Sequence, residues 1–115
     1  MSASAFLKHY RVSPRKARLL ADQIRGKGVE EALVILDLSP KRFSRDLAKL
    51  VRSALANAEE KNNRDHAGID IDNLVVGRIT VDQGPSMWRI SPRAQGRASW
   101  IQKRTASVRV VLSEE

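Results

Sequence analysis

Thirty-one consecutive residues, Gln83 to Ser113, contain six basic side chains and no acid. Within them, residues 83–97 hold two prolines and two glycines and lie between two segments of strand-like composition. A hairpin connection normally has two to five residues, and a longer one inside a compact domain is usually functional or disordered. Met87, Trp88, Ile90 and Trp100 are scattered through the region with no stable period. Without acids the segment cannot neutralise itself. It predicts a protrusion that needs an anionic partner to order it.

The rest of the charge is also unevenly spread. Residues 1–28 carry seven basic groups and one acid, whereas residues 29–82 carry eight basic and ten acidic. The nearly neutral middle reads as an ordinary core-bearing unit, and the excess lies in the flanks. Overall, 21 Lys and Arg against 13 Asp and Glu give a net charge of +8. Such a balance points to a polyanionic partner, nucleic acid or an anionic membrane. A length of 115 residues, 42% apolar, predicts one domain with a modest core.

Local patterns outline the elements. Ser13 as N-cap and Pro14 at the first position start a helix that Gly26 stops. Ala17, Leu20, Ala21 and Ile24 form its apolar stripe, with Arg11, Arg15, Arg18 and Arg25 to another side. Val29 to Leu38 reads as a short, mostly buried helix. Pro40 opens the strongest helix, running to about Glu60. At roughly 100° per residue, Phe43, Leu47, Leu50, Val51, Ala54 and Ala58 cover an arc of about 100°. Lys41, Arg45, Lys49 and Arg52 share about 80° on nearly the opposite side. Residues 61–68 read as a loop. Leu74 to Val81, Ser99 to Leu112 and Ala5 to Val12 read as strands.

Several chemistries find no support. The chain has no cysteine, which removes disulfides and thiol chemistry and suits a reducing cytosol. His9 and His66 are isolated and lack metal-ligand spacing. Arg25-Gly26-Lys27-Gly28 lacks the spacing of a phosphate-cradling loop, so a helix stop with a phosphate-contacting Lys27 fits better. Glu30-Glu31 and Glu59-Glu60 are adjacent on helices, and their side chains diverge. No catalytic triad, metal or cofactor is suggested, and an enzyme is not expected. The N-terminus lacks the pattern of a secretory signal, and the uncharged run 32–36 is far too short to span a bilayer.

Three stretches carry a family resemblance. They are Ser13-Pro14-Arg15-Lys16-Ala17-Arg18-Leu19-Leu20-Ala21-Asp22-Gln23-Ile24-Arg25-Gly26-Lys27, then Ser53-Ala54-Leu55-Ala56-Asn57-Ala58-Glu59. The third is Val81-Asp82-Gln83-Gly84-Pro85-Ser86-Met87 with Arg89, Pro92-Arg93-Ala94, Gly96-Arg97-Ala98 and Lys103-Arg104-Thr105. Over roughly residues 9–112 the chain resembles the bacterial large-subunit ribosomal protein twenty-two family. The resemblance implies an α+β fold, with three helices on a small three-stranded antiparallel sheet and a long protruding β-hairpin, about residues 78–105. It implies a structural, cytoplasmic constituent of the large ribosomal subunit. Its partners would be 23S rRNA, neighbouring ribosomal proteins and the nascent polypeptide, with no membrane and no homo-oligomer. Arg11, Arg15, Lys16, Arg18, Arg25, Lys27, Lys41, Arg45, Lys49, Arg52, Arg93, Arg97, Lys103 and Arg104 would contact rRNA. Met87, Trp88 and Arg89 would form the hairpin tip that lines the polypeptide exit tunnel.

Two positions depart from the family pattern. Trp88 stands at the tip, where a lysine is expected in many relatives, and replaces a cation by a flat stacking surface. Ala106-Ser107 stands where serine then histidine is expected, which puts any RNA contact through those side chains in doubt. Without the resemblance, a free-standing nucleic-acid or membrane-surface protein is the alternative. A membrane helix would need large apolar residues opposite lysines, where Ala54, Ala56 and Ala58 are small. A helix-turn-helix over residues 29–60 would leave the acid-free arm without a role. Binding to RNA through the charged flanks should weaken steeply with salt.

Overall fold

The computed structural model describes residues 2–65, 68, 70–92, 96 and 98–114. Strand β1 (Ser2–Tyr10) is followed by helices α1 (Pro14–Ile24), α2 (Val29–Leu38) and α3 (Phe43–Asp65). A 3₁₀ turn, Ile71–Asn73, leads into β2 (Leu74–Gln83), β3 (Met87–Pro92), β4 (Ala98–Lys103) and β5 (Ala106–Glu114). β1, β5 and β2 form an antiparallel sheet in that order, and β3 and β4 form a separate two-stranded ribbon. This is the expected α+β arrangement of three helices on a small sheet with a protruding hairpin.

The sheet buries one face against the helices. Ala106, Val108, Val110 and Leu112 alternate inward on β5 and are fully buried. β2 needs a correction to its alternation: Leu74 and Val76 are buried, and so are Ile79 and Val81, an odd number of residues further on. A bulge between Val76 and Arg78 absorbs the extra residue. Without it, every later side chain of β2 would change face. Gly77 stands at the bulge, where a Cβ would come within 2.3 Å of the Ser113 hydroxyl.

β2 is an edge strand, and α1 covers that edge. Gly26, at φ +79°, donates its N–H to the Val76 carbonyl, and the Val76 N–H returns to the Lys27 carbonyl. Arg25 then donates to the Ile79 carbonyl and Arg18 to the Val81 carbonyl. The outer groups of β2 are thus occupied from within, which blunts the edge against pairing with another chain. Pro14 begins α1 as predicted, but the Ser13 hydroxyl makes no capping bond. Its carbonyl accepts the Ala17 N–H instead.

α3 differs from expectation at both ends. It begins at Phe43, so Lys41 precedes the helix. The buried Ser44 hydroxyl donates to the Lys41 carbonyl at 2.5 Å, locking the α2–α3 turn in a non-helical path. At the other end the helix continues through Asp65, although residues 61–68 read as a loop. Asn costs well under 1 kcal/mol in a helix, and extending a formed helix is far easier than nucleating one. His66 and Ala67 lie outside the described residues. The Asn57 amide donates to the Ser4 carbonyl, holding α3 beside β1.

The arm begins at Gly84; residues 78–83, expected within it, belong to β2 and the body sheet. The expected strand Ser99 to Leu112 is two strands, interrupted at Arg104-Thr105. At this neck Gly84 donates its N–H to the Thr105 carbonyl, and the Thr105 hydroxyl donates to the Pro85 carbonyl at 2.6 Å. A Cβ on Gly84 would lie 2.5 Å from that hydroxyl and 3.2 Å from the His9 ring. β1 is irregular here: His9 has φ +53° and donates its N–H to the Ser107 hydroxyl. Ser107 therefore serves the fold, and Ala106 beside it is fully buried. The molecule measures 64 × 26 × 16 Å with a radius of gyration of 17.3 Å, against about 13 Å for a compact chain of this length.

Among the described residues, none of the buried apolar core comes from residues 85–104. Excising 85–104 and closing Gly84 onto Thr105 through a short turn should leave helical circular dichroism and a single cooperative unfolding transition. Loss of cooperativity would mean that the arm supports the body.

Tyr10 ties β1 to α3. Its hydroxyl donates to Asp46 and its ring packs 5.7 Å from that of Phe43. The bond to Asp46 chiefly, then burial and the carboxylate's charge, push the phenol above its ordinary 10.0, while Arg42 pulls it back. The folded state therefore holds this proton more tightly than the unfolded one. The resulting stability is complete below about pH 10 and is lost as pH rises through the raised folded value. Tyr10→Phe should cost about 0.5–1.5 kcal/mol near neutrality and remove this alkaline loss. Urea unfolding of both proteins at neutral and strongly alkaline pH measures the difference.

Candidate nucleic-acid interface

Where the arm leaves the body, two distant parts of the chain meet. Arg11, Val12 and Ser13, from the β1–α1 link, face Ile101, Gln102, Lys103 and Arg104 at the base of β4 across a cleft of about 350 Å³. Among the described residues, its lining has three cations and no acid. Arg104 donates to Gln102 at 3.3 Å, while Arg11 and Lys103 make no hydrogen bond or ion pair among the described residues. Arg15 and Lys16 lie exposed on the adjoining first turn of α1. Unneutralised cations around a concave opening suit phosphate oxygens.

The cationic surface continues past Arg11 into a groove of about 460 Å³ lined by Tyr10, Val12, Arg42, Phe43 and Asp46. A second depression, about 490 Å³, gathers Lys41, Arg42 and Arg45 with Asp37 and Ser39 on its wall. Arg42 was not among the predicted contacts. It follows Lys41 directly, in the turn before α3, where helical spacing gave no signal for it.

The predicted cations divide into two groups. Arg18 and Arg25 spend guanidinium donors on β2 carbonyls, and Arg25 also pairs with Asp22 at 2.5 Å. Arg52 pairs with Asp37 at 3.1 Å, tying α3 to α2. The pair is half exposed and contributes little, typically under 1 kcal/mol. Lys27 and Lys49 are exposed and, with Lys41 and Arg45, have no side-chain partner among the described residues. Arg93 and Arg97 lie outside the described residues.

The arm has two faces. Opposite residues in an antiparallel pair point to the same side. Ile90 faces Trp100 and Trp88 faces Gln102, so Trp88, Ile90 and Trp100 share one side, 57–66% exposed. Met87, Arg89, Ile101 and Lys103 share the other. The apolar residues that seemed scattered are thus ordered by a two-residue period in a segment expected to be a loop. The Met87–Lys103 rung is nearest the neck and the Pro92–Ala98 rung farthest from it. Met87, Trp88 and Arg89, expected at the tip, therefore lie on the shaft near the neck, with Pro92 and Ala98 at the far end of the paired ribbon.

Other chemistries are thinly represented. Among the described residues no three His, Asp or Glu side chains are grouped to hold a metal ion. No described helix is long and apolar enough to cross a membrane.

Known proteins match this arrangement along its length. A family model described as ribosomal protein L22p/L17e matches residues 5–113. The chain is 50% identical over 115 residues to the large ribosomal subunit protein uL22 of Desulforamulus reducens, covering 100% of this chain and 97% of that protein. It is 49% identical over 114 residues to the protein of that name from Maridesulfovibrio salexigens, covering 99% of each. The Geobacter sulfurreducens protein is 49% identical over 115 residues, covering 100% of this chain and 99% of its own length. With the α+β body, the protruding ribbon and near-complete coverage all in agreement, the chain belongs to the ribosomal protein L22p/L17e family.

Proposed function

We propose that this chain is a structural constituent of the large ribosomal subunit that grips 23S rRNA where its arm meets its body. The observation that carries this is the neck cleft, where Arg11 and Lys103 come together with no acid beside them and no partner among the described residues. The role is structural rather than catalytic, as in its family, and its place is the cytoplasmic ribosome. Neutralising phosphates there releases counterions, so each contact adds about 0.7–0.9 to the slope of log affinity against log salt. Arg15, Lys16, Lys27, Lys41, Arg45 and Lys49 extend the grip over the body, which the neighbouring ribosomal proteins also adjoin. Arg18, Arg25 and Arg52 contribute mainly by holding the body in shape.

Arg11→Ala with Lys103→Ala should lower affinity for transcribed 23S rRNA and reduce the salt slope by roughly 1.4–1.8. A folded double variant with the wild-type slope would remove the neck from the interface.

The arm reaches through the RNA toward the polypeptide exit tunnel, where it meets the nascent chain. A backbone ribbon with one aromatic and one cationic side fits between RNA and a passageway. Deleting Met87, Trp88 and Arg89 removes an odd number of residues from β3. Re-pairing would carry Ile90, Ser91 and Pro92 to the opposite sides of the ribbon, re-aiming the far end of β3. Incorporation into subunits should stay near normal while macrolide susceptibility or nascent-chain stalling changes. Poor incorporation, with unchanged susceptibility per assembled ribosome, would overturn the tunnel role.

A further inference from the structure

The helices cover only one side of the β1–β5–β2 sheet, and the other side carries a charge pattern of its own. Phe6, half exposed at 49%, pairs across the strands with Arg109. The Arg109 guanidinium carbon stands 4.8 Å from the Phe6 ring centroid. On the opposite flank Thr80 pairs with Arg109, and Arg78 pairs with Val111. Arg78, Thr80, Asp82, Arg109 and Val111 enclose a depression of about 480 Å³. Lys8 is exposed further along β1. Among the described residues none of the three cations has an ion pair, and Asp82 is the one acid lining the depression.

We infer that this open sheet face is a second RNA-binding surface, taking an unpaired nucleotide with its base on the Arg109 guanidinium and its phosphate on Arg78. Phe6 supports the guanidinium by a cation–π contact, and Arg109 is exposed. Guanidinium planes and aromatic rings are the usual stacking partners of splayed RNA bases, and arginine matches phosphate in a bidentate manner. A protein partner fits less well. The centres of protein interfaces are depleted in charge and enriched in aromatic residues. This face has one aromatic side chain among three cations. Its surface is separate from the neck cleft, although it rests on the reading that the chain binds large-subunit RNA.

The test uses the full chain and transcribed 23S rRNA. Arg78→Thr with Arg109→Thr keeps residues that suit a strand. It should weaken binding by roughly tenfold and lower the salt slope by roughly 0.7–1.8. Arg109→Lys, a single change that keeps the charge, should weaken binding severalfold with an unchanged slope, because lysine offers no plane for stacking. This single variant decides the matter if the double variant fails to fold. A photoreactive phenylalanine analogue in place of Phe6 should cross-link to RNA in assembled subunits. Wild-type affinity in the sheet-face variants, beside a weakened Arg11→Ala/Lys103→Ala protein, overturns this inference and leaves the neck reading intact. Cross-links that reach only a ribosomal protein also overturn it. No binding of 23S rRNA by the wild-type chain would overturn both.

Discussion

Strand β5 is hydrogen-bonded on both sides, to β1 and to β2, and its four inward side chains have no solvent exposure. Burying a valine or leucine contributes about 1.5–3 kcal/mol, so this strand anchors much of the body's stability. The same strand also aims the arm. Its chain enters from β4 through Thr105, which is buried and bonded to Gly84 and Pro85. The direction of an almost coreless ribbon is therefore set by the best-packed strand of the core. The neck leaves little room for change, because Gly84, Thr105 and His9 already meet within contact distance.

Arginine does two different jobs in this molecule. Arg18 and Arg25 reach backbone carbonyls along the outer edge of β2, where a planar fork with five donors is suited to the task. They belong to the economy of the fold: an edge strand left open invites pairing with other chains. Arg11 and Lys103, by contrast, face an acid-free cleft. The distinction matters for any electrostatic account, since a cation whose donors are already engaged has fewer left for phosphate.

The arm is the counterpart of that economy. Two strands alone are marginally stable in water, and this pair exposes two tryptophans and an isoleucine on one side. Such a surface is complete only against a partner. Stacking on bases suits the indoles, and phosphate contacts suit Arg89 and Lys103 on the reverse side. A lysine at position 88 would leave less apolar surface and one more cation, so Trp88 weights this shaft toward stacking rather than charge.

Much of this was legible in the sequence. The stripes of α1 and α3, the alternation of β5 and the lack of acids over residues 83–113 are short-range patterns, each requiring only its own neighbours. They sufficed for the three helices and the sheet, and they pointed to a polyanionic partner. Other features depend on residues far apart in the chain. The bulge at Gly77 reverses the parity of β2, which no uniform period predicts. The arm's aromatic face exists only because Ile90 is opposite Trp100. The outward places of Lys8, Arg78 and Arg109 follow strand alternation, but became visible as one surface only when β1, β5 and β2 were laid side by side. The neck brings Arg11 to Lys103, and packing separates Arg18 and Arg25 from the cations still free to bind. Local periodicity determined which elements form; tertiary structure decided which charges remain unsatisfied, because that depends on what each side chain meets across the fold.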